Sequence, residues 1–179
     1  MLLLAIAGPV TAAADDDLLA ELANRAGENE NVAGSFTQQK NIQGLPLALE
    51  SAGSFNYSKR EGVIWHTTSP LDSVLNISAA GLRYDNGEPV QGSSILAEML
   101  LGVFTGDLSQ LTQYFTIEVS GKPLAWRIVL APQSATVAEQ VKQITMTGAH
   151  FTQRITIIEA SGDTTEISLQ VQQDNDAEP

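Results

Sequence analysis

The stretch GSFNYSKREGVIWHTTSPLDSVL, residues 53–75, decides how the rest of the chain is read. Val63, Trp65 and Thr67 fall on one side of an extended run and Ile64 and His66 on the other, because successive side chains of a strand point to opposite faces. Lys59-Arg60-Glu61-Gly62 and Ser69-Pro70 cut the stretch into short strands joined by short turns, the pattern of an antiparallel meander. No recognisable catalytic group stands in it, so its one-sided apolar surface needs another purpose.

The alternation continues on both sides. VAGSFTQQKNI (32–42) and ALESAGSFNYS (48–58) precede the third strand, and DSVLNIS (72–78) and GLRYD (81–85) follow it. Five more strands are expected at 115–121, 124–132, 140–148, 151–160 and 164–172, with Trp126, Ile128 and Leu130 sharing one face of the second of these. Between the two sets, GSSILAEMLLGVFTGDLSQLTQYF (92–115) changes period. Ile95, Leu96, Met99, Leu100 and Val103 recur at helical spacing, and Asp107 is placed to cap a further short helix. Another helix is expected in DDDLLAELANRAGENEN (15–31), where Leu18, Leu19 and Leu22 share a face and Gly27 marks the end.

Composition narrows the function. The 179 residues suit one domain and contain no cysteine, which removes thiol nucleophiles, thiolate metal sites and an acylated lipobox anchor. A net charge of −12, from 21 acidic and 9 basic residues, disfavours nucleic acid and anionic membrane surfaces as partners. With only two histidines and none of the H-E-x-x-H, G-x-S-x-G, phosphate-loop or G-x-G-x-x-G motifs, no enzyme, metal or cofactor is expected. His66 should face water, away from Trp65, and the acids near residues 15–17 and 28–30 suit solvated helix ends. Residues 1–14, apolar and ending in three alanines, read as a secretory signal; 15–173 read as one domain and 174–179 as a disordered tail. No stretch has the ~18 apolar residues of a membrane-spanning helix, so a protein not integral to the membrane is expected outside the inner membrane.

An antiparallel sheet of about ten strands is too large to stay flat. The expected fold is mainly β: an unclosed barrel covered by about three short helices acting as a lid. Phe36, Phe55, Tyr57, Val63, Trp65, Leu75, Trp126 and Ile128 are the candidates for its inner wall, and Leu19, Leu22, Leu96, Met99, Leu100 and Phe104 for the lid. Inward side chains can instead interdigitate into a solid core. Lys59 and Arg60 stand together in a cation-poor chain, either as an ordinary surface turn or as a contact for a ligand or partner.

The order of helix, SFTQQK, the 53–75 stretch with its G-S-F and W-H-x-T-x-P-x-x-S-x-L pattern, helical insert, YFTIEVSG and WRIVLAP resembles the periplasmic outer-membrane lipoprotein carrier proteins, the LolA-like family. The resemblance covers nearly all of the chain after the apolar N-terminus. It implies a monomeric periplasmic half-barrel. Its apolar interior would take lipoprotein acyl chains from an inner-membrane extraction complex to an outer-membrane acceptor. By the same resemblance Trp65 and Val63 line the cavity, and a basic residue at Lys59 or Arg60 serves transfer at the rim. The family often has arginine then proline there, so the role stays open between Lys59 and Arg60, and the unusually acidic charge leaves the cargo open among lipoprotein, glycolipid and other acyl products. A lipid- or protein-sensing module built on the same half-barrel is the alternative.

Overall fold

The computed structural model describes residues 12–90 and 94–172, with side chains from 17 to 90 and from 97 to 172. Helix α1 (Ala12–Gly27) leads into strands β1 (Asn31–Asn41), β2 (Leu49–Ser58), β3 (Gly62–Ser69), β4 (Ser73–Ser78) and β5 (Gly81–Tyr84). Helix α2 (Ser94–Thr105) and a 3-10 turn (Ser109–Gln113) follow. Then come β6 (Phe115–Lys122), β7 (Ala125–Pro132), the short helix α3 (Ala135–Ala138), β8 (Val141–Gly148), β9 (Thr152–Glu159) and β10 (Thr164–Gln172). Strand limits fall close to those expected from alternation and turn chemistry.

All ten strands form one sheet in the order β5-β4-β3-β2-β1-β10-β9-β8-β7-β6. Every neighbouring pair is antiparallel. Each half is a meander, the halves are joined by β1 against β10, and β5 and β6 remain at the two ends, so the barrel is unclosed. The chain passes from one end of the sheet to the other through α2 and the 3-10 turn. A connection between opposite edges has to cross a face, and the apolar inner face is the one that the buried Ala97, Met99, Leu100 and Phe104 of α2 can cover. The helical cover is therefore a consequence of strand order.

Two local features differ from expectation. The short helix expected after Asp107 takes the 3-10 form, and its first flanking residue is Leu108. There the Asp107 carboxylate accepts the Ser109 N–H at 2.9 Å, closing a tight turn; hydrogen bonding from the Ser109 side chain, and secondarily from this N–H, holds its pKa below the ordinary value. The short α3 arises between the strands expected at 124–132 and 140–148, where no element was expected; the Ser134 hydroxyl accepts the Val137 N–H at 3.4 Å as an N-cap.

The inner face packs by setting aromatic rings against glycines of the next strand. Phe36 is opposite Gly53, Phe55 opposite Gly34, and Trp126 opposite Gly148. A Cβ on Gly53 would collide with the His66 carbonyl and lie 2.9 Å from the Phe36 ring, and one on Gly34 would lie 2.6 Å from the Phe55 ring. A branched side chain there must displace an aromatic ring or the backbone. Gly53→Val is expected to destabilise by about 3 kcal/mol, a fall in melting temperature of roughly 6–12 °C by calorimetry. An unchanged transition would mean that the rings can repack freely.

Candidate functional site

Between the inner face and the two helices lies an apolar hollow of about 50 Å³. Leu19, Leu22 and Ala26 of α1 and Val103 and Phe104 of α2 line its helical side, with Leu108 just beyond α2. Val32, Trp126, Ile128, Met146, Leu169 and Val171 line the sheet side, with Phe151 and His150 from the β8–β9 turn. It sits toward the end of the half-barrel where α1 finishes, β1 begins and β10 ends.

The expected site residues divide into two groups. Trp126, Ile128, Leu19, Leu22 and Phe104 border the hollow. Phe36, Phe55, Tyr57, Val63, Trp65 and Leu75 lie on the same inner face but do not border it. Phe36 and Trp65 stack with centroids 3.9 Å apart, and Phe55 stands 6.2 Å from Trp65. Met99 and Leu100 are buried among the core residues, while the side chain of Leu96 lies outside the described residues. The two groups meet at Phe104. Its ring is 5.1 Å from Phe55 and 5.6 Å from Tyr57, in near-parallel stacking with the latter, so it partitions the hollow from the aromatic cluster. Tyr57 adds no charge to this wall: burial, and secondarily the nearby Glu30 carboxylate, push its hydroxyl pKa above the ordinary value.

Few polar ties hold the cover. Arg25 near the end of α1 donates to the Pro123 carbonyl at 2.8 Å and the Ala149 carbonyl at 3.3 Å, while Glu21 grips its guanidinium at 2.8 Å. Trp126 Nε1 donates to the same Ala149 carbonyl at 2.8 Å, so one turn orients both the helix end and a cavity wall. Lys59 donates to the Gly27 carbonyl at 3.0 Å, where a cation suits a helix C-terminus, and lies 3.5 Å from Glu30. Arg60 is exposed beside it. His66 points off the inner face toward Asp72, 3.0 Å away, as its place on the strand requires. Arg25→Leu is expected to cost about 1–2 kcal/mol and to raise hydrogen exchange along α1 more than in the sheet; equal changes in both would assign Arg25 no special hold on the helix.

Among the described residues no group of three or more histidine, cysteine or acidic side chains is arranged to hold a metal, and no helix is long and apolar enough to cross a membrane. The hollow can offer a guest apolar contact and exclusion of water. Residues 28–178 match the family model described as outer membrane lipoprotein carrier protein LolA.

The chain belongs to the LolA family.

Among solved structures this LolA-family chain is similar to a LolA superfamily protein from Nitrosomonas europaea, at 8% identity and TM-score 0.48, over 87% of this chain and 91% of that one. It is also similar to a chain of the MucA/MucB complex of Pseudomonas aeruginosa, at 14% identity and TM-score 0.48, over 90% of this chain and 57% of that one. A third likeness is to an outer membrane lipoprotein-sorting protein domain from Vibrio parahaemolyticus, at 8% identity and TM-score 0.43, over 94% and 95% of the two chains. No curated protein matches significantly.

Sequence reasoning did not single out Val32, Leu108, Met146, Phe151, Leu169 or Val171, which also line the hollow. The alternation of β8 and β10 already put Met146 and Leu169 on the inner face. What was missing was where the helices of this LolA-family half-barrel leave space.

Proposed function

We propose that the protein is a periplasmic carrier. It takes acyl chains of lipoproteins or related lipids into the apolar space beneath α1 and α2 and conveys them from the inner toward the outer membrane. The observation that carries this reading is the hollow itself, apolar on both walls and covered by helices with few polar ties, in a chain of the LolA family. The task is one of shielding, and it calls for no nucleophile, metal or cofactor. Removing a chain of ~16 carbons from water is favourable by roughly 0.8 kcal/mol per methylene, about 12 kcal/mol in all, so such a chain does not cross an aqueous compartment unprotected.

Volume decides how loading must occur. An apolar cavity of roughly 150 Å³ holds benzene, and the hollow here is about 50 Å³, so no acyl chain fits it as it stands. Cargo enters only if the cover moves. Withdrawing Met99, Leu100, Phe104 and Leu108 costs about 2 kcal/mol each, or about 8 kcal/mol, even if all four become fully exposed. One acyl chain outweighs that, and the displaced side chains can pack on the chain itself. Cargo therefore shifts the protein to the open form, joining the hollow to the aromatic cluster behind Phe104. Lys59 and Arg60 stand at the same end as the hollow, where an inner-membrane extraction complex would load it and an outer-membrane acceptor would empty it.

The test is transfer. Delipidated protein should take up a fluorescent acyl probe, show bound lipid by native mass spectrometry after loading, and move a purified lipoprotein from inner-membrane vesicles to acceptor-bearing membranes. Failure of both probe uptake and transfer would overturn the proposal.

A further inference from the structure

At the end of the sheet away from Lys59, the surface changes character. Seven large hydrophobic side chains are exposed among the described residues, and four of them lie at this end: Leu45, Leu47 and Leu71 in two adjacent loops and Leu49 at the start of β2. Leu47 is 79% exposed and Leu71 78%. The β1–β2 connection and the β3–β4 connection leave the sheet side by side. Lys40 is opposite Leu49 and Ala52 opposite Ser69, so Pro70 and Leu71 continue beside the start of β2. The first loop is held in shape: Leu45 N–H donates to the Ile42 carbonyl at 3.0 Å, and Gln43 N–H to Asp163 Oδ1 at 2.9 Å. Gly44, at φ +88°, takes the left-handed conformation this turn needs.

Scattered surface leucines are ordinary, but four gathered on two neighbouring connections, the first pinned by hydrogen bonds, form a patch of the kind that marks an interaction site. Its border is acidic. Glu50 and Asp72 follow Leu49 and Leu71 in the chain, Asp72 lying 3.0 Å from His66, Asp163 binds the leucine loop, and Lys40, the cation opposite Leu49, is engaged by Glu159 at 2.7 Å. In a chain of net charge −12 this border opposes an anionic bilayer, and a second copy would set acid against acid.

We propose that this end docks onto a protein partner presenting an apolar pocket bordered by lysine or arginine side chains. The loops need little ordering to bind, and docking there leaves the end with the hollow free for cargo. The surface stands independently of the carrier reading.

A benzophenone cross-linker in place of Leu47, in the full chain expressed in its source cells, identifies what contacts the patch; the captured protein is then purified and titrated with the unmodified chain. Expected is an affinity that falls with added salt. Leu47→Asp with Leu71→Asp should weaken it roughly tenfold or more, and Glu50→Lys with Asp72→Lys should flatten the salt dependence, with melting temperature and acyl-probe uptake unchanged. Cross-links to lipid or to a second copy alone, or a captured protein that binds the aspartate variant as tightly as the parent, would overturn the proposal. Docking that persists in a protein unable to take up any acyl probe would sink the carrier reading and leave this one standing.

Discussion

Replacing Phe104 with alanine is expected to lower the melting temperature by roughly 10 °C and, at the same time, to tighten acyl binding about tenfold. Phe104 is 6% exposed, and its ring stands between the hollow and the rings of Phe55 and Tyr57. Truncating a buried phenylalanine costs about 3–5 kcal/mol, and a domain of this size loses about 2–4 °C per kcal/mol. Those contacts belong to the closed form, which competes with cargo. Weakening them raises the open fraction, and apparent affinity rises by the same factor. Calorimetry and probe titration on one preparation measure both effects. A less stable protein that also binds more weakly would make Phe104 a wall the cargo rests on, against its assignment as a partition.

The second large effect is expected from α1. Leu22 is half-buried and borders the hollow, so Leu22→Asp should cost the fold only about 1 kcal/mol yet weaken acyl binding about a hundredfold. The asymmetry comes from water. In the unloaded protein a carboxylate at the helix edge keeps part of its hydration, whereas an acyl chain filling the space strips it away, a penalty of about 3 kcal/mol. Ala20 is exposed on the same helix, and Ala20→Asp should leave stability and uptake unchanged. Equal losses from both substitutions would trace the effect to the protein's charge and not to the wall of the hollow.

Much of the fold was legible because β-structure writes its burial into the sequence with a period of two. Val63 and Trp65 alternate with Ile64 and His66, and in the structure the first pair is buried while Ile64 is exposed. The meander of successive strands could be followed because most turns were short and rich in glycine, proline or charge, whereas the β1–β10 pairing that joins the two halves left no local signal. The hollow was harder to place for a physical reason. Alternation puts Trp65 and Trp126 on the same inner face and cannot say which of them meets space. That depends on where α2 crosses, a long-range matter settled by packing Phe104 against Phe55 and Tyr57. The large rings of Phe36 and Trp65 suggested a cavity wall, but glycines opposite Phe36 and Phe55 let the rings stack closely and fill the volume. Beyond its i,i+4 pair with Glu21, the hold of Arg25 on the sheet left no periodic signal, since there its partners are backbone carbonyls nearly a hundred residues or more away. A short helix after Asp107 was legible, but its 3-10 form was not, because an aspartate at the start marks both kinds of helix alike.

The measurement closest to the central claim uses the chain's two tryptophans. In a Trp65→Phe variant, Trp126 remains as the sole tryptophan, on the wall of the hollow and oriented by its hydrogen bond to the Ala149 carbonyl. Titration with an acyl chain carrying a nitroxide quencher should extinguish the Trp126 emission, saturating at equimolar probe, if chains enter beneath α1 and α2. Saturable binding that leaves Trp126 emission untouched would place the acyl chain elsewhere and contradict a hollow that opens to receive it.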